Sequence, residues 1–165
     1  MEAAPKDSDL LGLYQEIILD HGKSPRNAGV IENADCRSDG KNPLCGDRVA
    51  VTTELDQRQF ITDIKFDGKG CAISIASASM MTEAVKGLSV ADARLIFEAV
   101  RTICSKEASV LDAMQDVGDE LAPRLEKLAS LSGVRQFPAR VKCATLPWHT
   151  LMSCLDGKTT ASTER

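Results

Sequence analysis

Two alternating apolar runs near the middle of the chain narrow the possible folds more than any other feature. Val49, Val51, Thr53 and Leu55 recur at every second position, and Phe60, Thr62, Ile64 and Phe66 repeat the pattern. A period of two turns one face of each run toward a core. The turn around Asp56-Gln57-Arg58 is short enough for an antiparallel hairpin. Asp67-Gly68-Lys69-Gly70 forms the next turn, where glycine can take positive φ. Cys71, Ile73 and Ile75 then fall on one face of a third strand.

The flanking segments are helical in pattern. Leu10, Leu13, Tyr14, Ile17 and Ile18 share a helical face, with Ser8 or Asp9 as N-cap and Gly22 and Pro25 at the far end. Residues 22–44 are dense in Gly, Pro, Asn and Asp and are expected to form a long loop. From Ala76 the spacing becomes helical through Met80, Met81, Ala84 and Val85, closing at Gly87. Ser89-Val-Ala-Asp92 resembles a capping box. It precedes a stripe of Ala93, Ile96, Phe97, Val100, Ile103 and Cys104. Residues 105–120 are polar and ambiguous. Leu121, Leu125 and Leu128 suggest a helix ended by Gly133. A last helix runs from about Pro138 to about Leu155, with a kink at Pro147. The expected fold class is α+β: a three-stranded antiparallel sheet packed against about five helices. One domain spans 1–165, with 1–8 and 156–165 as disordered tails.

A chain of 165 residues can bury a core of its own. Its net charge of −4 gives no electrostatic case for nucleic acid or an anionic membrane as partner. No apolar run reaches bilayer length, and Met1-Glu-Ala-Ala-Pro-Lys-Asp-Ser8 lacks the order of a secretion signal. The expected compartment is the cytoplasm, and monomer is the default oligomeric state. The six cysteines are accordingly expected as free thiols or metal ligands. Two histidines, His21 and His149, are too few for a His-rich metal site.

Three segments carry chemistry. In Cys45-Gly46-Asp47, residues i and i+2 of an extended chain point the same way and can share one ion. Cys71 follows the glycine turn, and strand pairing can bring it beside Cys45. Cys143 sits in Arg140-Val-Lys142-Cys143, whose two cations favour the thiolate. Three cysteines and an aspartate make a tetrahedral set for a borderline-soft ion such as zinc. The other candidates have plainer readings. Cys104 lies on an apolar stripe and belongs to the core, as do Met80 and Met81. Cys154 is too far along its helix from Cys143 to share an ion. Cys36 is structural or incidental in its loop. His21 caps or packs near a helix end, His149 falls on a different helix face from Cys143, and Trp148 packs.

The order Cys-Gly-Asp, then Gly-x-Gly-Cys-x-Ile-Ser, then Cys-Ala-x-Leu-x-Trp resembles the U-type iron–sulfur cluster assembly proteins across residues 9–155. Lys142, where IscU-like chains have histidine, and the separation of 72 positions from Cys71 to Cys143 resemble the SufU branch. The resemblance implies a SufU/IscU-like fold and zinc on Cys45, Asp47, Cys71 and Cys143. It implies a SufS-type cysteine desulfurase and the SUF cluster assembly components as partners. Cys45 would leave the zinc to accept persulfide sulfur, Asp47 would be the most labile ligand, and Arg140 would stabilise the metal or the incoming sulfur. On that reading the chain is a zinc-dependent sulfurtransferase. The alternative is a non-enzymatic scaffold for a [2Fe–2S] cluster, with iron or the cluster on the same thiolates. A third is a structural zinc domain that unfolds without its metal.

Overall fold

The computed structural model describes residues 7–43, 46–105 and 108–162. The expected hairpin forms one side of its sheet. Strands β2 (Asp47–Leu55) and β3 (Ile61–Lys69) pair antiparallel, with Val49, Val51, Ile64 and Phe66 buried. The alternation in β3 is broken at its start. Glu54 pairs with Asp63 and Leu55 with Ile61, so Thr62 is an extra residue left exposed while Ile61 turns inward.

The sheet has four strands rather than three. Strand β1 (Cys36–Asn42) runs antiparallel to β2 inside the segment expected as a loop, and β4 (Thr160–Ser162) adds parallel to β1 inside the segment expected as a tail. The order is β3-β2-β1-β4. The inward residues of β1 are Ser38, Gly40 and Asn42, all small or polar, so no hydrophobic alternation marks it. A Cβ on Gly40 would stand 2.0 Å from Thr150 Oγ1 and 3.3 Å from Leu146 Cδ1. Close approach of the last helix therefore selects the glycine.

The expected third strand is the N-terminus of a helix. Cys71 is the N-cap of α2 (Ala72–Val85), and Ile73 and Ile75 lie on its first turns. A short apolar run alternates equally well in either structure, and tertiary packing of Ala76, Met80 and Met81 decides. The other helices are α1 (Asp7–Lys23), which starts ahead of the expected caps, α3 (Val90–Cys104), α4 (Val110–Val117) and α5 (Pro138–Leu155). Ser89 accepts from the Asp92 amide at α3, and Ser109 and Asp112 form a full capping box at α4 within the ambiguous stretch. Residues Ala122–Leu125 and Leu128–Gln136 are 3₁₀ segments, and the second passes through Gly133 rather than ending there. No helix among the described residues is long and apolar enough to cross a membrane.

Helices α2 and α5 pack on one face of the sheet, and α3 packs against α5 and the Leu128–Gln136 segment, around a single core. Trp148 is its largest wholly enclosed side chain. Its Nε1 donates to Ser77 Oγ at 3.1 Å, and that hydroxyl donates to the Ala144 carbonyl at 2.5 Å. Cys104 packs as expected, and burial pushes its thiol up to about 12. Cys36 and Cys154 correct the expectation of unpaired thiols. Their sulfurs form a disulfide that joins β1 to α5, with Cα atoms 5.5 Å apart across 118 residues of sequence. This pairing was invisible without β1, which brings residue 36 against the end of α5.

His21 is buried rather than a cationic cap, and its Nδ1 lies 2.7 Å from Ser79 Oγ. Burial, and then the Arg26 guanidinium, hold its pKa below the ordinary histidine value. Burial and Arg101 do the same for His149, which packs edge-on to Phe97. Each ring is harder to protonate folded than unfolded, so the unfolded chain takes up more protons in acid. Stability from this source is complete above the unfolded histidine pKa of about 6.5 and declines as pH falls below it. Urea unfolding at pH 7, 6 and 5 should show that decline, at no more than about 1.4 kcal/mol per pH unit per histidine. His21→Asn should flatten it; an unchanged slope would rule out His21 as a contributor.

Candidate metal centre

The hairpin and two helices converge at one end of the sheet. Asp47 opens β2, directly opposite Asn42 at the end of β1. Cys71 follows β3 by two residues, and Cys143 lies on the second turn of α5. The Asp47 carboxylate and the Cys71 and Cys143 sulfurs all lie within 4.8 Å of one another. A tetrahedral ion with bonds of about 2.3 Å to sulfur has ligand–ligand edges of about 3.8 Å, so the spacing suits such an ion after small side-chain adjustment. Two soft sulfurs and one hard oxygen, all able to carry negative charge, match a borderline-soft divalent ion. Cys45, the fourth expected ligand, lies outside the described residues. By sequence it belongs to the link between Asn42 and Asp47 that closes the β1–β2 hairpin, where Gly46 has φ of 71° and its amide donates to the Asn42 carbonyl at 2.9 Å. Gly46 is therefore a conformational requirement of that turn.

The three side chains differ in exposure. Asp47 and Cys143 are buried, whereas Cys71 is exposed. The backbone holds Asp47 in place, for the Cys71 amide donates to its Oδ1 at 3.0 Å. Cys71 Sγ lies 3.8 Å from Oδ2 of the same carboxylate. Asn42, absent from the expected site, is buried and donates from Nδ2 to Cys143 Sγ at 4.0 Å. Only its place three residues before Cys45 could have signalled it. Arg140, expected beside the metal, is exposed and lies over the Phe137 ring at 5.4 Å.

Gly68 and Gly70 were expected to supply positive φ, and neither does. They are required by close approach instead. A Cβ on Gly70 would stand 2.5 Å from Asp47 Oδ1 and 2.9 Å from its Cγ, and one on Gly68 would stand 2.6 Å from the Arg48 carbonyl oxygen. Gly70→Ala should therefore displace the carboxylate while leaving every ligand present. Since loss of a ligand's supporting partner costs roughly 10–100-fold in metal affinity, a loss of that order is expected in a zinc competition titration. Unchanged affinity would show that Asp47 contributes nothing to binding.

The match to known proteins follows the same residues. A family model described as the NifU-like N-terminal domain covers residues 13–144. The zinc-dependent sulfurtransferase SufU of Bacillus subtilis (strain 168) is 42% identical over 145 residues, covering 88% of this chain and 90% of that one. The iron–sulfur cluster assembly scaffold protein IscU of Streptococcus pyogenes serotype M1 is 35% identical, covering 90% and 86%. A crystal structure described as a putative iron–sulfur cluster assembly scaffold protein for the SUF system, from Fervidobacterium islandicum, superposes with a TM-score of 0.70 at 35% identity. It covers 85% of this chain and 94% of that one.

Proposed function

We propose, because this chain belongs to the NifU-like N-terminal domain family, that it accepts sulfur from a SufS-type cysteine desulfurase for iron–sulfur cluster assembly. The observation that carries the proposal is the convergence of Asp47, Cys71 and Cys143 at one sheet end, beside the chain segment that contains Cys45. Cys45, Asp47, Cys71 and Cys143 are the ligands we assign. Zinc bound there would keep the thiols ionised and hold them together. The Cys45 thiolate attacks the terminal sulfur of the partner's cysteine persulfide and forms a new S–S bond. The partner's S–S bond breaks, and its cysteine leaves as a thiolate with the electron pair. Sulfur oxidation states are exchanged, and no outside oxidant is needed. Asn42 holds the Cys143 sulfur by its amide, and the Cys71 amide orients Asp47. Arg140, on the first turn of α5, is the cation we assign to the incoming anionic sulfur.

The family likeness to a named IscU scaffold supports a second reading, in which a [2Fe–2S] cluster is assembled on the same thiolates. Metal analysis of the isolated protein, with a desulfurase assay in its presence and absence, separates the two. Zinc together with strong stimulation is the expected result. Cluster formation with transfer to an apo-protein, without stimulation, would replace the first reading with the second.

A further inference from the structure

We infer that the outer face of the sheet beside the metal centre is a docking surface for an acidic segment of the sulfur-donating protein; the inference rests on the function proposed above. Lys41, Arg48 and Lys69 are direct cross-strand neighbours, since Lys41 pairs with Arg48 and Arg48 with Lys69. All three are exposed on the face opposite the helices. Residues directly opposite on adjacent strands stand about 5 Å apart, and like charges placed so repel. The salt bridges among the described residues include none of the three. Asp39 and Asp67 stand in the next row of the same face and Asp39 pairs with Arg37, so the three adjacent cations repel one another with no salt bridge among the described residues to offset it.

Its position gives it a use. The row lies one residue pair from Asn42 and Asp47. Lys41 precedes Cys45 by four residues and Arg48 follows it by three. The same face forms an open depression of about 510 Å³, lined by Arg37, Lys41, Arg48 and Lys69 together with Asp39 and Asp67, so cations outnumber carboxylates there by two. A protein that presents a persulfide to Cys45 must come to this end of the sheet, and carboxylates spaced along one of its segments would complete the row. Charges at the rim of such an interface act mainly on the encounter rate and its salt dependence.

The test uses full-length protein, zinc-loaded, with the cysteine desulfurase of the same organism. In Lys41→Glu/Arg48→Glu the association rate should fall by about tenfold or more at low salt, and its dependence on ionic strength should weaken. Dissociation rate, zinc content and sulfur acceptance at saturating partner should change little. Arg48→Gln, which removes charge without reversing it, should fall between. A variant that associates at the parent rate and with the parent salt slope would overturn the docking surface while the functional reading stood. A parent dimer that is lost in the variant, or parent binding to heparin at physiological salt, would assign the row to another occupant and also overturn it. A parent chain that neither binds nor stimulates the desulfurase would sink the functional reading and this inference with it.

Discussion

Cys143→Ser should reduce bound zinc from about one ion per chain to a small fraction and abolish sulfur acceptance. The serine keeps the volume but not the soft, readily ionised donor that a borderline ion prefers. Burial limits rescue, because Cys143 is only 5% exposed and water cannot easily take the vacated position. The loss in affinity should exceed the roughly 10–100-fold expected from a supporting residue. Cys71→Ser should follow in direction with a smaller effect, since its exposed position lets solvent stand in. The informative companion measurement is thermal unfolding. The hydrophobic core includes none of Asp47, Cys71 or Cys143. Cys143→Ser should therefore keep a cooperative transition and near-parent far-UV circular dichroism while losing zinc. Parallel loss of zinc and of the folded state would instead identify a structural zinc domain.

The largest stability effect is expected at Trp148. Its side chain is fully enclosed, and its indole nitrogen, Ser77 and the Ala144 carbonyl form a buried polar chain from α5 through α2 and back. Trp148→Ala should cost about 3–5 kcal/mol in urea unfolding, the usual range for removing a buried aromatic. Trp148→Phe should cost less, for it keeps most of the apolar volume and loses one hydrogen bond of about 1 kcal/mol together with some packing. A phenylalanine variant as unstable as the alanine one would place the effect in the polar chain instead of in the packing. Zinc affinity should change little in either variant, because Trp148 is five residues beyond Cys143 and faces the core.

How much of this was legible in the sequence depends on where apolar residues mark a face. The β2–β3 hairpin and α3 were legible because Val49, Val51, Ile96 and Val100 repeat at the period of their element. Strand β1 was not, because its buried side is Ser38, Gly40 and Asn42, sized to admit α5 rather than to be hydrophobic. Strand β4 is three residues long and gains its place by pairing with a strand that was itself hidden. The third expected strand failed for the opposite reason, since Ile73 and Ile75 alternate but sit on a helix. At the metal centre the ligand types and their order were readable. The supports were not: Asn42 reaches Cys143 across 101 residues, and Gly70 matters for the atom it lacks.

The Cys36–Cys154 bridge makes the polypeptide between those residues a covalent ring, with α1 outside it at one end and β4 at the other. The segment between α3 and α4 can then be cut without separating the pieces. One fragment would carry Asn42, Asp47 and Cys71 and the other Cys143, still tethered through sulfur at the end of β1 remote from the metal centre. A nicked chain should run as a single species until it is reduced. For the site, continuity of the main chain and continuity of the molecule are thus separate properties.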